Sequence, residues 1–202
     1  MQAVQMEPLT VEDYRMMPEA GPRYQLVEGE LFMAPAPNRF HQDISLNIVL
    51  MVGGYLEKHP IGKLYEAPFD VYLDEFNVHQ PDIVFIAKAN YEILTDAGAE
   101  GAPDFIVEIL SPKTAFLDKK AKRKVYARAG VKELWFVDPD TRMVHVYFLQ
   151  NDPDHPAATY GEKDTFSSPH FPSLKIRVAR IFKRGQASSK STATGAAEIT
   201  CS

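Results

Sequence analysis

Cysteine is nearly absent. Cys201 is the only one among 202 residues, which excludes an internal disulfide framework and any cysteine-rich zinc site. Long apolar runs are missing too, and none approaches the ~20 residues a membrane-spanning helix requires. The first residues carry no basic stretch followed by an apolar one, so no secretory signal is expected and a cytoplasmic location is. No glycine-rich loop ends in Lys-Ser or Lys-Thr, and no G-x-S-x-G elbow occurs. The histidines are scattered (His41, His59, His79, His145, His155, His170), without the i, i+4 spacing of a helical zinc site. Positive charge is also in deficit. The net charge of −5 argues against general coating of nucleic acid and leaves only a local basic patch for such a partner.

What is present suits one α/β domain over 1–184, with a tail over 185–202 whose Ala, Ser, Thr and Gly content predicts disorder. Thr10 followed by Asp13 reads as the cap of a short helix that Pro18 ends. Arg23–Val27 and Glu30–Ala34 flank Glu28-Gly29 and predict a β-hairpin extension. Ile44, Ile48, Met51, Val52 and Leu56 recur at helical spacing, so a long helix is expected over His41–Lys58. Gly53-Gly54 weakens that helix and suggests that another element packs close there.

Lys63–Glu66, Phe69–Leu73, Asp82–Ile86 and Phe105–Leu110 are short strands. The last two are dense in Ile, Val and Phe, as strands covered on both faces are. Asp96–Pro103 reads as a flexible loop. A helix over Ala115–Ala129 stops at Gly130, and strands follow at Glu133–Val137 and Val144–Leu149. Residues 151–173 read as loops with an edge strand, and Leu174–Phe182 as a last short element. This order predicts a mixed sheet flanked by helices.

Three residues stand out chemically. Glu108 lies inside an otherwise apolar strand, where an unpaired carboxylate is costly, so it needs a basic partner, a metal or a wet cleft. Asp82 opens another apolar strand directly after Pro81, a residue tolerated at a strand start. Two acids at one end of neighbouring strands form a site for Mg²⁺ or Mn²⁺, which prefer oxygen ligands. Asp118, Lys122 and Tyr126, four apart, share a helix face, and Lys122 could project toward those acids. The basic run around it is also what a solvated helix face looks like.

The stretches YQLVEGEL (24–31), FHQ (40–42), QPDIV (80–84), PDFIVEILSP (103–112) and YARAGVKELWFVDP (126–139) together resemble the Uma-two family of restriction-endonuclease-like proteins, within the PD-(D/E)XK nuclease superfamily. The resemblance implies a restriction-endonuclease-like fold and metal-dependent cleavage of nucleic acid, chiefly DNA. It implies that Asp82 and Glu108 are the motif acids, with the backbone carbonyl of Ile109 as a third ligand to Mg²⁺ or Mn²⁺. The superfamily pattern calls for a lysine two residues after the second acid, where this chain has Leu110, and Lys122 is the position that replaces it. Glu28, Glu30 and His41 fall in matching stretches and are accessory candidates, although Glu28 also reads as a hairpin turn residue and His41 as a helix cap. Lys113, Lys119, Lys120, Arg123, Lys124 and Arg128 are candidates for holding a nucleic-acid backbone. A homodimer is expected by analogy with enzymes that cut both strands. The competing reading is a nuclease-like fold without turnover that binds nucleic acid or protein.

Overall fold

The computed structural model describes residues 7–18, 21–33, 36–111 and 118–185, without the side chains of 118 and 119. The expected tail beyond residue 185 lies outside these. The chain is a mixed α/β fold built on two six-stranded sheets.

The first sheet runs β12-β11-β10-β9-β6-β3, comprising Ala158–Tyr160, Met143–Phe148, Glu133–Asp138, Phe105–Ile109, Ile83–Ala87 and Gly62–Glu66. Its centre is parallel, β10 beside β9, and β6 runs antiparallel to β9. All five residues of β9 are buried. Side chains alternate across a strand. Phe105, Val107 and Ile109 therefore join one apolar cluster, while Ile106 and Leu110 join the cluster on the other face. Glu108 falls in the second set.

Helix α2 (Arg39–Leu56) covers the first face with buried Ile44, Ile48, Met51 and Val52. Asn38 caps it, its side-chain oxygen accepting the His41 N–H at 2.9 Å. The structure thus gives the cap to Asn38 and not to His41. The Gly53-Gly54 expectation is corrected: a Cβ at either position would meet nothing within 4 Å, so no close packing explains these glycines.

The second face is covered by α3 (Arg123–Ala129), which a five-residue π-helical turn at Asp118–Lys122 precedes, and by the second sheet. Gly130 ends α3 in the left-handed conformation at φ 107°, as its glycine predicts. Residues 112–117, the start of the predicted helix, lie outside the described residues. The second sheet runs β2-β1-β5-β4-β8-β7. Its strands are Glu30–Met33, Tyr24–Val27, Asn77–His79, Val71–Asp74, Gly98–Glu100 and Leu94–Thr95. The predicted hairpin forms the edge of this sheet.

The loop expected over Asp96–Pro103 is also corrected, because β8 lies within it and pairs with β4 through Val71↔Ala99. Ala99 is fully buried, so small side chains there serve packing. A short two-stranded ribbon, β13 (Thr165–Phe166) with β14 (Ile176–Arg177), leads into α4 (Val178–Ile181). The short N-terminal helix α1 (Val11–Arg15) is closed by the expected Thr10–Asp13 capping box.

Candidate active site

Strand register places the two acids at the same end of neighbouring strands. Ile83 pairs with Val107 across antiparallel β6 and β9, so one step outward sets Asp82 opposite Glu108. Asp82 Oδ2 accepts the backbone N–H of Ile109 at 2.6 Å, which ties the start of one strand to the end of the other. Beside this end lies the first turn of α2, where His41 Nε2 is 3.2 Å from Asp82 Oδ1. Of the three accessory candidates, His41 is the one in contact with the acids.

Glu108 is held from the opposite face. Lys122 Nζ lies 3.0 Å from Oε1 and 3.2 Å from Oε2, and the Tyr126 hydroxyl donates to Oε1 at 2.5 Å. All three side chains are nearly inaccessible, with Glu108 6% exposed and Lys122 5%. The lysine expected from the following helix does reach the acid. Tyr126 was visible as sharing a face with Lys122 and carried no assignment. The signal available was its position one helical turn beyond a lysine aimed at a buried carboxylate.

Electrostatically the spot favours positive charge. Burial alone would push the His41 pKa down. The hydrogen bond and charge of Asp82, the charge of Glu108 and the Ile109 backbone outweigh it and raise the pKa above the ordinary value. Among the described residues, no three His, Cys, Asp or Glu side chains form a metal-binding group. The Asp82 and Glu108 carboxylates are the oxygen donors here that could hold a divalent ion, and Mg²⁺ commonly binds one or two carboxylates and keeps several waters.

The other sequence candidates are placed differently. Glu28 sits in the hairpin turn at φ 51° and pairs with Arg128 at 3.0 Å. Glu30 is exposed at the start of β2. Arg128 also pairs with Asp74 at 3.0 Å, and Arg123 donates to the carbonyl and the carboxylate of Asp154. These two arginines are engaged within the chain. Lys120 and Lys124 are exposed, whereas Lys113 and the Lys119 side chain lie outside the described residues.

Comparison with known proteins bears on this geometry. A family model described as "Putative restriction endonuclease" (Uma2) matches residues 11–179. Among solved structures, that of a "putative nuclease belonging to DUF820" from Anabaena variabilis ATCC 29413 is similar, with a TM-score of 0.72 and 21% identity. The match covers 87% of this chain and 98% of that one, and at this identity it shows a shared fold. No curated protein matches the chain. No described helix is long and apolar enough to cross a membrane.

Proposed function

The chain belongs to the Uma2 family, and from that premise we propose that it is a metal-dependent endonuclease hydrolysing phosphodiester bonds in DNA. This reading is supported by two contacts at one end of the β6–β9 pair, Asp82 with the Ile109 N–H and Lys122 with Glu108. Asp82, Glu108 and the carbonyl of Ile109 would hold Mg²⁺ or Mn²⁺. Such an ion acidifies bound water and polarises a phosphoryl oxygen. The Ile109 N–H holds Asp82 at the strand end. Tyr126 and Lys122 fix the Glu108 carboxylate on the other side. The Lys122 ammonium also places positive charge where a phosphate gains negative charge during attack. His41 orients Asp82 from the α2 side.

The test is cleavage of supercoiled plasmid DNA with Mg²⁺ by wild type, Asp82→Ala and Glu108→Gln. Nicking or linearisation is expected from wild type, with a loss of at least about a hundredfold in each variant. Cleavage that persists in both variants rules the reading out.

Two observations favour a second reading, that of a binding module without turnover. Lys122 is paired with Glu108 as a buried ion pair, and Leu110 occupies the superfamily's lysine position. Calorimetric titration with Mn²⁺ separates the two. The enzyme reading expects a site that vanishes in Asp82→Ala, and the module reading expects no heat from wild type.

A further inference from the structure

A concavity of about 460 Å³ lies between α2 and the segment that follows α4, lined by Asn47, Lys183, Arg184 and Gly185. Asn47 builds it. Its side-chain N–H group donates to the carbonyls of Ile181 and Lys183 at 3.0 and 2.7 Å, fastening the segment to the helix. At the rim, the Arg184 guanidinium stacks over Phe40 at 4.3 Å from the ring centroid, and that of Arg142 lies 6.0 Å from the same ring. Arg142 is paired with Glu162 at 2.6 Å. Among the described residues, no carboxylate pairs with Arg184.

The location joins this cluster to the acids. Phe40 directly precedes His41, which is 3.2 Å from Asp82. Arg142 sits in the turn between β10 and β11, and Val137 near the end of β10 is in register with Ile109. The turn thus emerges at the sheet end that carries Asp82 and Glu108. In open α/β sheets, ligands bind in the crevice outside strand ends of this kind. A guanidinium stacked on a ring keeps its in-plane N–H donors free, the arrangement that suits phosphate oxygens.

We propose that this concavity, with Arg184 presented on Phe40 at its rim, binds the phosphodiester backbone of DNA beside the cleavage site. The proposal rests on the nuclease reading of Asp82 and Glu108 and adds the substrate contact. It also moves the contact away from α3, where Arg123 and Arg128 are occupied by acids of the same chain. Phe40 acts by holding the guanidinium, and Lys183 adds a second charge in the same hollow. A chain with a net charge of −5 needs such a local surface to meet a polyanion.

The test is fluorescence anisotropy with a short labelled DNA duplex in EDTA, so that binding is read without cleavage, over a range of salt. Arg184→Ala is expected to weaken binding and to lower the log–log salt slope by about one, the signature of one lost phosphate contact. Phe40→Leu is expected to weaken binding, and adding it to Arg184→Ala to cost little more. Lys58→Ala, exposed just beyond the far end of α2, serves as the control and keeps wild-type affinity. An unchanged slope in Arg184→Ala overturns the proposal, as does a slope lost only in Lys120→Ala and Lys124→Ala, and so does a wild type that does not bind the duplex. If wild type cuts plasmid while Arg184→Ala binds normally, this inference falls alone. If Arg184-dependent binding persists without any cleavage, the backbone contact stands and the nuclease reading falls.

Discussion

Tyr126→Phe tests how Glu108 is held, because it removes one hydroxyl and leaves the ring in place. The hydroxyl donates to a buried carboxylate, a contact worth about 1.5–3 kcal/mol. The variant should unfold more easily by that amount. If Tyr126 positions the acid, kcat on plasmid DNA should also fall by about tenfold to a hundredfold while KM changes little, since a misplaced group slows chemistry more than binding. A purely structural tyrosine would lower stability and leave kcat unchanged. The Lys122–Glu108 pair is a poorer probe. Removing either partner breaks a buried ion pair, at about 3–5 kcal/mol, so lost activity would be confounded with lost fold. At this scale the acids were legible because a carboxylate in an apolar strand has to be explained. The means of holding Glu108 was less so, since Leu110 stands where a lysine was wanted and its replacement comes from a helix 14 residues along the chain.

At the scale of elements, α2 does more than cover the sheet. Its first turn delivers Phe40 and His41 to the strand end, and that turn depends on the Asn38 cap. Asn38→Ala should cost about 1 kcal/mol, seen as a fall in Tm of a few degrees. A frayed first turn should also loosen the His41–Asp82 contact, so DNA cleavage is expected to drop further than in a variant of equal stability elsewhere. Equal losses at both sites would detach the cap from function. Elements with strong periodicity were legible, among them α2, β6, β9 and β10. The strands β5 and β8 were not. Asn77–His79 is three residues long, and Gly98–Glu100 reads as loop because its small residues earn burial from the surrounding sheet and not from any pattern of their own. Buried Glu133 and Ser168, with half-buried His170 beside them, illustrate the opposite hazard. They bring together the residue types of a hydrolase triad, but Ser168 donates to Glu133 at 2.6 Å and Trp135 donates to it as well, so the serine is consumed inside the core.

For the whole molecule, the decisive feature is the seam between the two sheets, and no single segment of sequence announces it. His79 sits there on β5, fully buried, with its ring edge-on to Tyr126 at 5.1 Å between centroids. Neither ring nitrogen has a hydrogen-bond partner among the described residues. Burial, then the positive charges of Lys122 and Arg128, push its pKa well below the ordinary value. The native seam therefore holds a neutral imidazole, while the unfolded chain takes up a proton below about pH 6.5. Since the unfolded state binds the extra proton, stability is fully present above that pH. It declines on acidification by up to about 1.4 kcal/mol per pH unit until the native ring also protonates. His79→Phe removes that proton from the balance and keeps an aromatic ring against Tyr126. Urea unfolding at pH 7 and pH 5 should show a smaller acid loss in the variant than in wild type. Parallel losses would mean that the acid sensitivity arises elsewhere than at the seam. Because Tyr126 joins the seam to Glu108, acid opening there should also release the carboxylate that the active site needs fixed.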